Sequence, residues 1–176
     1  MTRSTMTRFT GQLLLALALG AGLAACGFHP RGSNGEYRIP FHTVWLGVPE
    51  NSPLGSELRR NLRAAEGVRV VEDQKDAEVK IDIVSETRAK VILSLNSQGR
   101  VREYLLTDTL VFKVRDARDA ELLPPTEINL KRSIAFNENQ TLAKESEEGL
   151  LYRDMQSDLV QQVLRRLVAI KPKQGG

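Results

Sequence analysis

The feature that most constrains the fold is a pair of long runs, 79–95 and 100–115, on either side of Asn96-Ser97-Gln98-Gly99. Both runs are rich in β-branched and aliphatic residues, and they read as two strands of one hairpin. A three-residue loop, Ser97 to Gly99, with Gly99 in the left-handed region, is a common hairpin closure. That register pairs Asn96 with Arg100 and Leu93 with Glu103.

Strand side chains alternate between faces with a period of two. In this register Val79, Ile81, Ile83, Val91, Leu93, Leu95, Val101, Leu105 and Val111 fall on one face. Ile92, Tyr104, Leu106, Leu110, Phe112 and Val114 fall on the other. Two readings follow. Helices cover the first face and the second is an exposed apolar strip, which marks a binding surface. Alternatively, a bulge near 85–87 flips the parity and both sets belong to one core. The even face also carries Arg88, Lys90, Arg100 and Arg102 toward the hairpin tip. Cations beside apolar surface suit an amphiphile with phosphate head groups. They equally suit a strand edge kept soluble by charge.

The remaining elements assemble around this hairpin. Residues 37–48 are β-like, with Val44, Leu46 and Val48 alternating. Ser52-Pro53 opens a helix, serine as the cap and proline at its first position. Leu54, Leu58, Leu62 and Ala65 follow at helical spacing, and Gly67 marks the stop. A further strand at Val68 or Val79 completes a β-α-β crossover. After the turn in "RDARDAEL", Leu130, Arg132 and Ile134 alternate through 128–136. Residues 141–170 form a long helix whose stripe is Tyr152, Met155, Leu159, Val163 and Leu167. The expected order is β-α-β-β-β-α. This is an α+β two-layer sandwich, a four-stranded mixed sheet with two helices.

The amino terminus describes the compartment. Arg3 and Arg8 precede a run, 13–25, without a polar side chain, and Cys26 follows it. Thirteen residues fall short of the roughly twenty that span a bilayer, and the basic start fits an export signal. "LAAC" resembles the lipobox of bacterial lipoproteins, in which the cysteine is acylated and becomes residue one. Several acyl chains make a stable anchor where a single chain does not. The division expected is a signal over 1–25, a lipidated tether over 26–36, one domain over 37–170 and a tail over 171–176. Gly27 after the cysteine resembles the outer-membrane sorting pattern rather than retention in the inner membrane. Losing Arg3 and Arg8 leaves 23 basic against 22 acidic side chains, so the formal charge falls from +3 to +1. The basic balance of the whole chain therefore gives no argument for nucleic acid. With one cysteine, no disulfide forms within the chain.

Chemistry-bearing patterns are missing. The chain has two histidines, His29 and His42, no Cys/His/Asp grouping at metal-ligand spacing, no phosphate loop and no nucleophile elbow. The reading is a non-enzyme without metal or cofactor. The acidic "AKESEEG" at 143–149 complements the positive end of the last helix.

"CGFHPRG" after the lipobox, "SQGRVREYLLT", "KRSIAFNEN" and "LAKESEEGLLYRDMQSDLVQQVLRRL" together resemble the LPS-assembly lipoprotein family, LptE, over most of 26–167. The resemblance implies two helices on a four-stranded mixed sheet. It implies an outer-membrane lipoprotein that faces the periplasm and the barrel lumen. There it plugs and helps assemble a large LptD-like β-barrel that inserts lipopolysaccharide into the outer leaflet, and it binds lipopolysaccharide. It also implies lipid contact at Lys144, in "TLAKE", and at basic residues near the hairpin tip. The family's tip residue stands before the turn glycine, where this chain has Ser97; Arg100 and Arg102 follow Gly99. The alternative is a lipid-anchored envelope carrier or binding module that works alone.

Overall fold

The computed structural model describes residues 38–49 and 51–171. Cys26, the signal, the tether and the tail beyond 171 lie outside the described residues. The order is β1 (Thr43–Gly47), α1 (Pro53–Ala64), β2 (Arg69–Val71), β3 (Val79–Leu95), β4 (Val101–Asp116), β5 (Glu121–Ala135) and α2 (Thr141–Ala169). Short 3-10 turns precede β3 and α2. One five-stranded sheet runs β2-β1-β3-β4-β5. β1 pairs parallel with both β2 and β3, and the β3-β4-β5 meander is antiparallel. The sheet is therefore mixed and the class α+β, with five strands rather than four. The sequence offers Val68 or Val79 as the start of one strand after α1. The chain uses both places, and each strand flanks β1 on its own side.

Local chemistry sets the element ends. Ser52 accepts a hydrogen bond from the Gly55 N–H at 3.1 Å, and Pro53 follows the cap, as serine and proline favour. Gly55 packs where a Cβ would sit 2.6 Å from Val48 Cγ1, so α1 lies close over the end of β1. Gly99 has φ +76°, and Asn96 N–H donates to the Arg100 carbonyl at 2.8 Å, which closes the expected hairpin.

Beyond the turn, the register departs from simple alternation. Ser94, not Leu93, pairs with Glu103, because irregularities beside Ser94 shift the strand. A larger consequence follows from a second shift between Ile83 and Ser85. Val84 is the extra residue, and it changes the parity of β3. Before it, Ile81 and Ile83 stand opposite Val114 and Phe112; after it, Glu86, Arg88 and Lys90 stand opposite Leu110, Asp108 and Leu106. Val79 and Ile81 thus join Leu106, Leu110, Phe112 and Val114 in the core, all at 0% exposure. This overturns the expectation of an exposed even-numbered strip, since the helices cover it along β4 and only Ile92 of that set is exposed. The bulge expected near 85–87 lies one residue earlier, and it joins Val79, Ile81 and Ile83 of the odd set to the even-numbered core while leaving the odd residues of β3 near the tip outside it. Val91, Leu93 and Leu95 stay 49–54% exposed.

Both helices pack on the even face of β4. Leu54, Leu58 and Leu62 of α1 and Leu159, Val160, Val163, Leu164 and Leu167 of α2 share one core with Val44, Val79, Ile81, Leu110, Phe112 and Val114. Met155, Leu106 and Ile134 form a smaller cluster nearer the hairpin tip. The first turns of α2 bury little: Leu142 is 81% exposed and Leu150 54%. Among the described residues, the opposite sheet face carries ion pairs rather than a cover. Arg115 joins Asp82 at 2.7 Å, and Lys80 joins Asp119 at 2.8 Å.

Candidate functional site

The start of α2 and the outer ends of β3, β4 and β5 meet at one corner. Lys144 follows from "TLAKE", three residues into the helix; Tyr104 and Phe136 come from the strands beside it. Lys90, Tyr104, Ile134, Phe136, Lys144 and Glu148 line a pocket of about 210 Å³. A second pocket, about 270 Å³, is lined by Asn96, Arg100, Val101, Phe136, Asn137 and Glu138. Phe136 is the wall shared by the two. Its ring meets Tyr104 edge-on, with centroids 5.3 Å apart, a favourable aromatic geometry.

Each cation in the corner has its own electrostatic setting. Lys90 Nζ lies 2.6 Å from Glu148 and 4.4 Å from the Tyr104 ring centroid. Its bond to Glu148 holds the ammonium above its ordinary pKa. Lys144 pairs with Glu147 at 2.8 Å, and Arg100 with Glu138 at 3.3 Å. Arg102 is exposed, and among the described residues its side chain has no partner; its carbonyl accepts from Phe136 N–H at 2.8 Å. The structure thus brings Lys144 and Arg100 to adjoining pockets and leaves Arg102 outside both. Exposed Val91, Ile92, Leu93 and Leu95 lie along the same hairpin end.

Chemically, the corner offers cations, two aromatic rings and aliphatic surface. The carboxylates facing Lys144 and Arg100 are half exposed, Glu147 at 49% and Glu138 at 57%. The Arg100 pair is exposed on both sides and contributes little, so an incoming anion exchanges for Glu138 cheaply; the Lys144 side chain is only 20% exposed, and an anion reaches it through the pocket it lines. Among the described residues, no group of three or more His, Cys, Asp or Glu is placed to hold a metal.

Two site residues escaped the sequence. Glu148 sits 58 residues from Lys90, and no local spacing joins them. Phe136 carries a signal only in hindsight, as an aromatic just past a strand end.

A second polar cluster lies along β3. Asp108 is 0% exposed and accepts from Arg88 Nε at 3.0 Å, while its other oxygen, Oδ1, has no partner among the described residues. Arg88 also reaches Glu86 at 3.3 Å and Gln156 at 3.1 Å, and its guanidinium lies 5.4 Å from the Tyr152 ring centroid. Burial pushes the Asp108 carboxyl above its ordinary pKa, and Arg88 opposes that rise.

Residues 41–167 match the family model LptE, described as lipopolysaccharide-assembly. The LPS-assembly lipoprotein LptE of Pectobacterium atrosepticum is 27% identical over 170 residues, covering 94% of this chain and 88% of that one. Its counterpart in Yersinia enterocolitica is also 27% identical, covering 89% and 76%. Among solved structures, lipoprotein B from Nitrosomonas europaea is 40% identical with a TM-score of 0.70, covering 81% of this chain and 91% of that one. The rare lipoprotein B of Shewanella oneidensis shares the fold at a TM-score of 0.64 and 23% identity, covering 72% and 94%. With the family model spanning the sheet and both helices, this chain belongs to the LptE family of lipopolysaccharide-assembly lipoproteins.

Proposed function

We propose that this envelope lipoprotein is anchored in the outer membrane through acylated Cys26, binds lipopolysaccharide at the corner of Lys144, Arg100 and Arg102, and seats as a plug in a large β-barrel assembly partner. The observation that carries the lipid reading is the corner itself. Lys90, Lys144 and Arg100 flank Tyr104 and Phe136 beside the exposed aliphatic hairpin end. Phosphates of an amphiphile take the cations, and its chains take the apolar surface. The plug reading draws on the open sheet face. Its ion pairs, Arg115 with Asp82 and Lys80 with Asp119, suit the polar lumen of a barrel better than lipid.

The test is a lipopolysaccharide titration of the purified chain and of the Lys144→Glu/Arg100→Glu variant, at low and high salt. Exposed ionic contacts are screened over a Debye length of roughly 8 Å at physiological strength, so parent binding weakens with salt. The variant binds weakly at both salts, and its melt is unchanged. Equal, salt-insensitive binding by the two proteins removes the corner as the site.

A further inference from the structure

The inner half of β3 is flanked by β1, but that pairing covers only Val79 to Asp82. From 84 to 95, no strand among the described residues lies on that side. Five of the large hydrophobic residues exposed on the molecule belong to this stretch: Val84, Val91, Ile92, Leu93 and Leu95.

The hydrogen-bonding state of this edge follows from register. Phe136 N–H donates to the Arg102 carbonyl, which makes Arg102 and Phe136 a hydrogen-bonded pair of β4 and β5. Such pairs alternate along an antiparallel ladder. Tyr104, Leu106, Asp108 and Leu110 therefore turn their backbone groups to β5, and Leu105, Thr107, Thr109 and Val111 turn theirs to β3. Opposite these four stand Val91, Ala89, Thr87 and Ser85. The N–H and C=O groups of Glu86, Arg88, Lys90 and Ile92 consequently point outward, away from the sheet. The Ala89 carbonyl agrees, since it takes the Thr107 hydroxyl at 3.5 Å from the β4 side.

Natural sheets guard such edges with charged side chains. Here the edge carries Arg88 and Lys90, whose charges pair back onto the sheet and α2, a guard against non-specific pairing that still leaves the outward main-chain groups free. Arg88 binds Asp108, and Lys90 binds Glu148 of α2, which leaves their side chains only 38% and 36% exposed. Among the described residues, the backbone ladder is left open beside small or apolar Ala89 and Val91.

We infer that the outward edge of β3, from Glu86 to Ile92, takes up an extended segment of the barrel partner as an added strand. The inference rests on the plug reading above. A row of alternating main-chain donors and acceptors is satisfied along its length by another extended backbone. The side chains define that segment further: small or apolar where it neighbours Thr87, Ala89 and Val91, acidic or polar where it neighbours Arg88 and Lys90.

The test is residue-resolved deuterium exchange on the full lipoprotein, alone in detergent and co-purified with its barrel. In the free chain, Thr87, Ala89 and Val91 exchange slowly, while Glu86, Arg88, Lys90 and Ile92 exchange fast. In the complex all seven are slow, the second group by on the order of 100-fold or more, as for amides brought into a stable ladder. Persistent fast exchange at those four in the complex overturns the inference. Slow exchange at those four in the free chain also overturns it, because another part of the chain then fills the edge.

An Ile92→Pro variant gives an independent readout. Ile92 is 57% exposed and its N–H points outward, so proline removes that donor while sparing the β4 ladder. Barrel recovery falls about tenfold, equivalent to about 1.4 kcal/mol, with the melt unchanged. Ile92→Thr, which keeps the N–H, recovers the barrel normally. Full recovery by Ile92→Pro refutes the added strand and leaves the plug standing. Failure of the parent itself to hold a barrel refutes the plug, and the added strand with it.

Discussion

Replacing Arg88 by leucine tests how β3 is held down beneath α2. Asp108 is wholly buried, its Oδ1 has no partner among the described residues, and Arg88 supplies the bond to its other oxygen. Breaking a buried pair from one side costs about 3–5 kcal/mol, since a charge is left without compensation. Arg88 is 38% exposed, so water recovers part of that, and about 2–3 kcal/mol is the expected loss for Arg88→Leu. For a domain of this size that corresponds to a Tm lower by about 10 °C. The Arg88→Leu/Asp108→Leu pair removes both charges beside Leu106, Leu110 and Leu130 and regains most of the loss, as apolar replacement of buried pairs commonly does. Thermal melts of parent, single and double variants at neutral pH measure both effects. pH adds a sign. A carboxyl whose folded pKa is raised binds more protons folded than unfolded between the two values. Its contribution to stability therefore falls as pH rises from 3.8 to the raised folded value. Loss of Arg88 widens that window, so Arg88→Leu recovers stability on acidification relative to the parent. A double variant as unstable as the single, or a single variant whose deficit ignores pH, refutes the buried-charge argument.

Leu159 is fully buried between α2 and the sheet, and Leu159→Ala costs about 2–5 kcal/mol in denaturant or thermal unfolding; an unchanged melt makes the helix peripheral. Ser52→Ala removes the cap on Gly55 and costs about 1 kcal/mol in the same assay; no loss means the cap contributes nothing. Cys26→Ala abolishes incorporation of labelled fatty acid and leaves the fold intact; retained label disproves the lipobox.

The parts of this molecule legible in sequence are those fixed by local chemistry. The Ser52-Pro53 helix start, the Gly99 turn and the stripe of Met155, Leu159, Val163 and Leu167 each depend on a few neighbouring residues, and each stands where expected. The covered face of the hairpin was not legible, because one inserted residue, Val84, reverses the parity of everything beyond it. Nothing in "DIVSET" distinguishes a bulge from regular strand. The three-residue strand β2 was legible only as an alternative to the strand at Val79, for a related reason. Arg69 to Val71 is too short for periodicity, and its pairing with β1 is a tertiary fact. The corner was half legible. Lys144 comes from the family resemblance and Arg100 from the run of cations toward the hairpin tip, while the pairing of Lys90 with Glu148 arises where α2 crosses the sheet.

The plug is the central claim, and co-purification tests it most directly. A tagged full-length chain, expressed in its own cells and extracted in mild detergent, is predicted to elute in a stable complex with the large β-barrel that assembles lipopolysaccharide. Elution of the intact, acylated chain alone, with no barrel in any fraction, contradicts the account and favours a lipoprotein that works by itself.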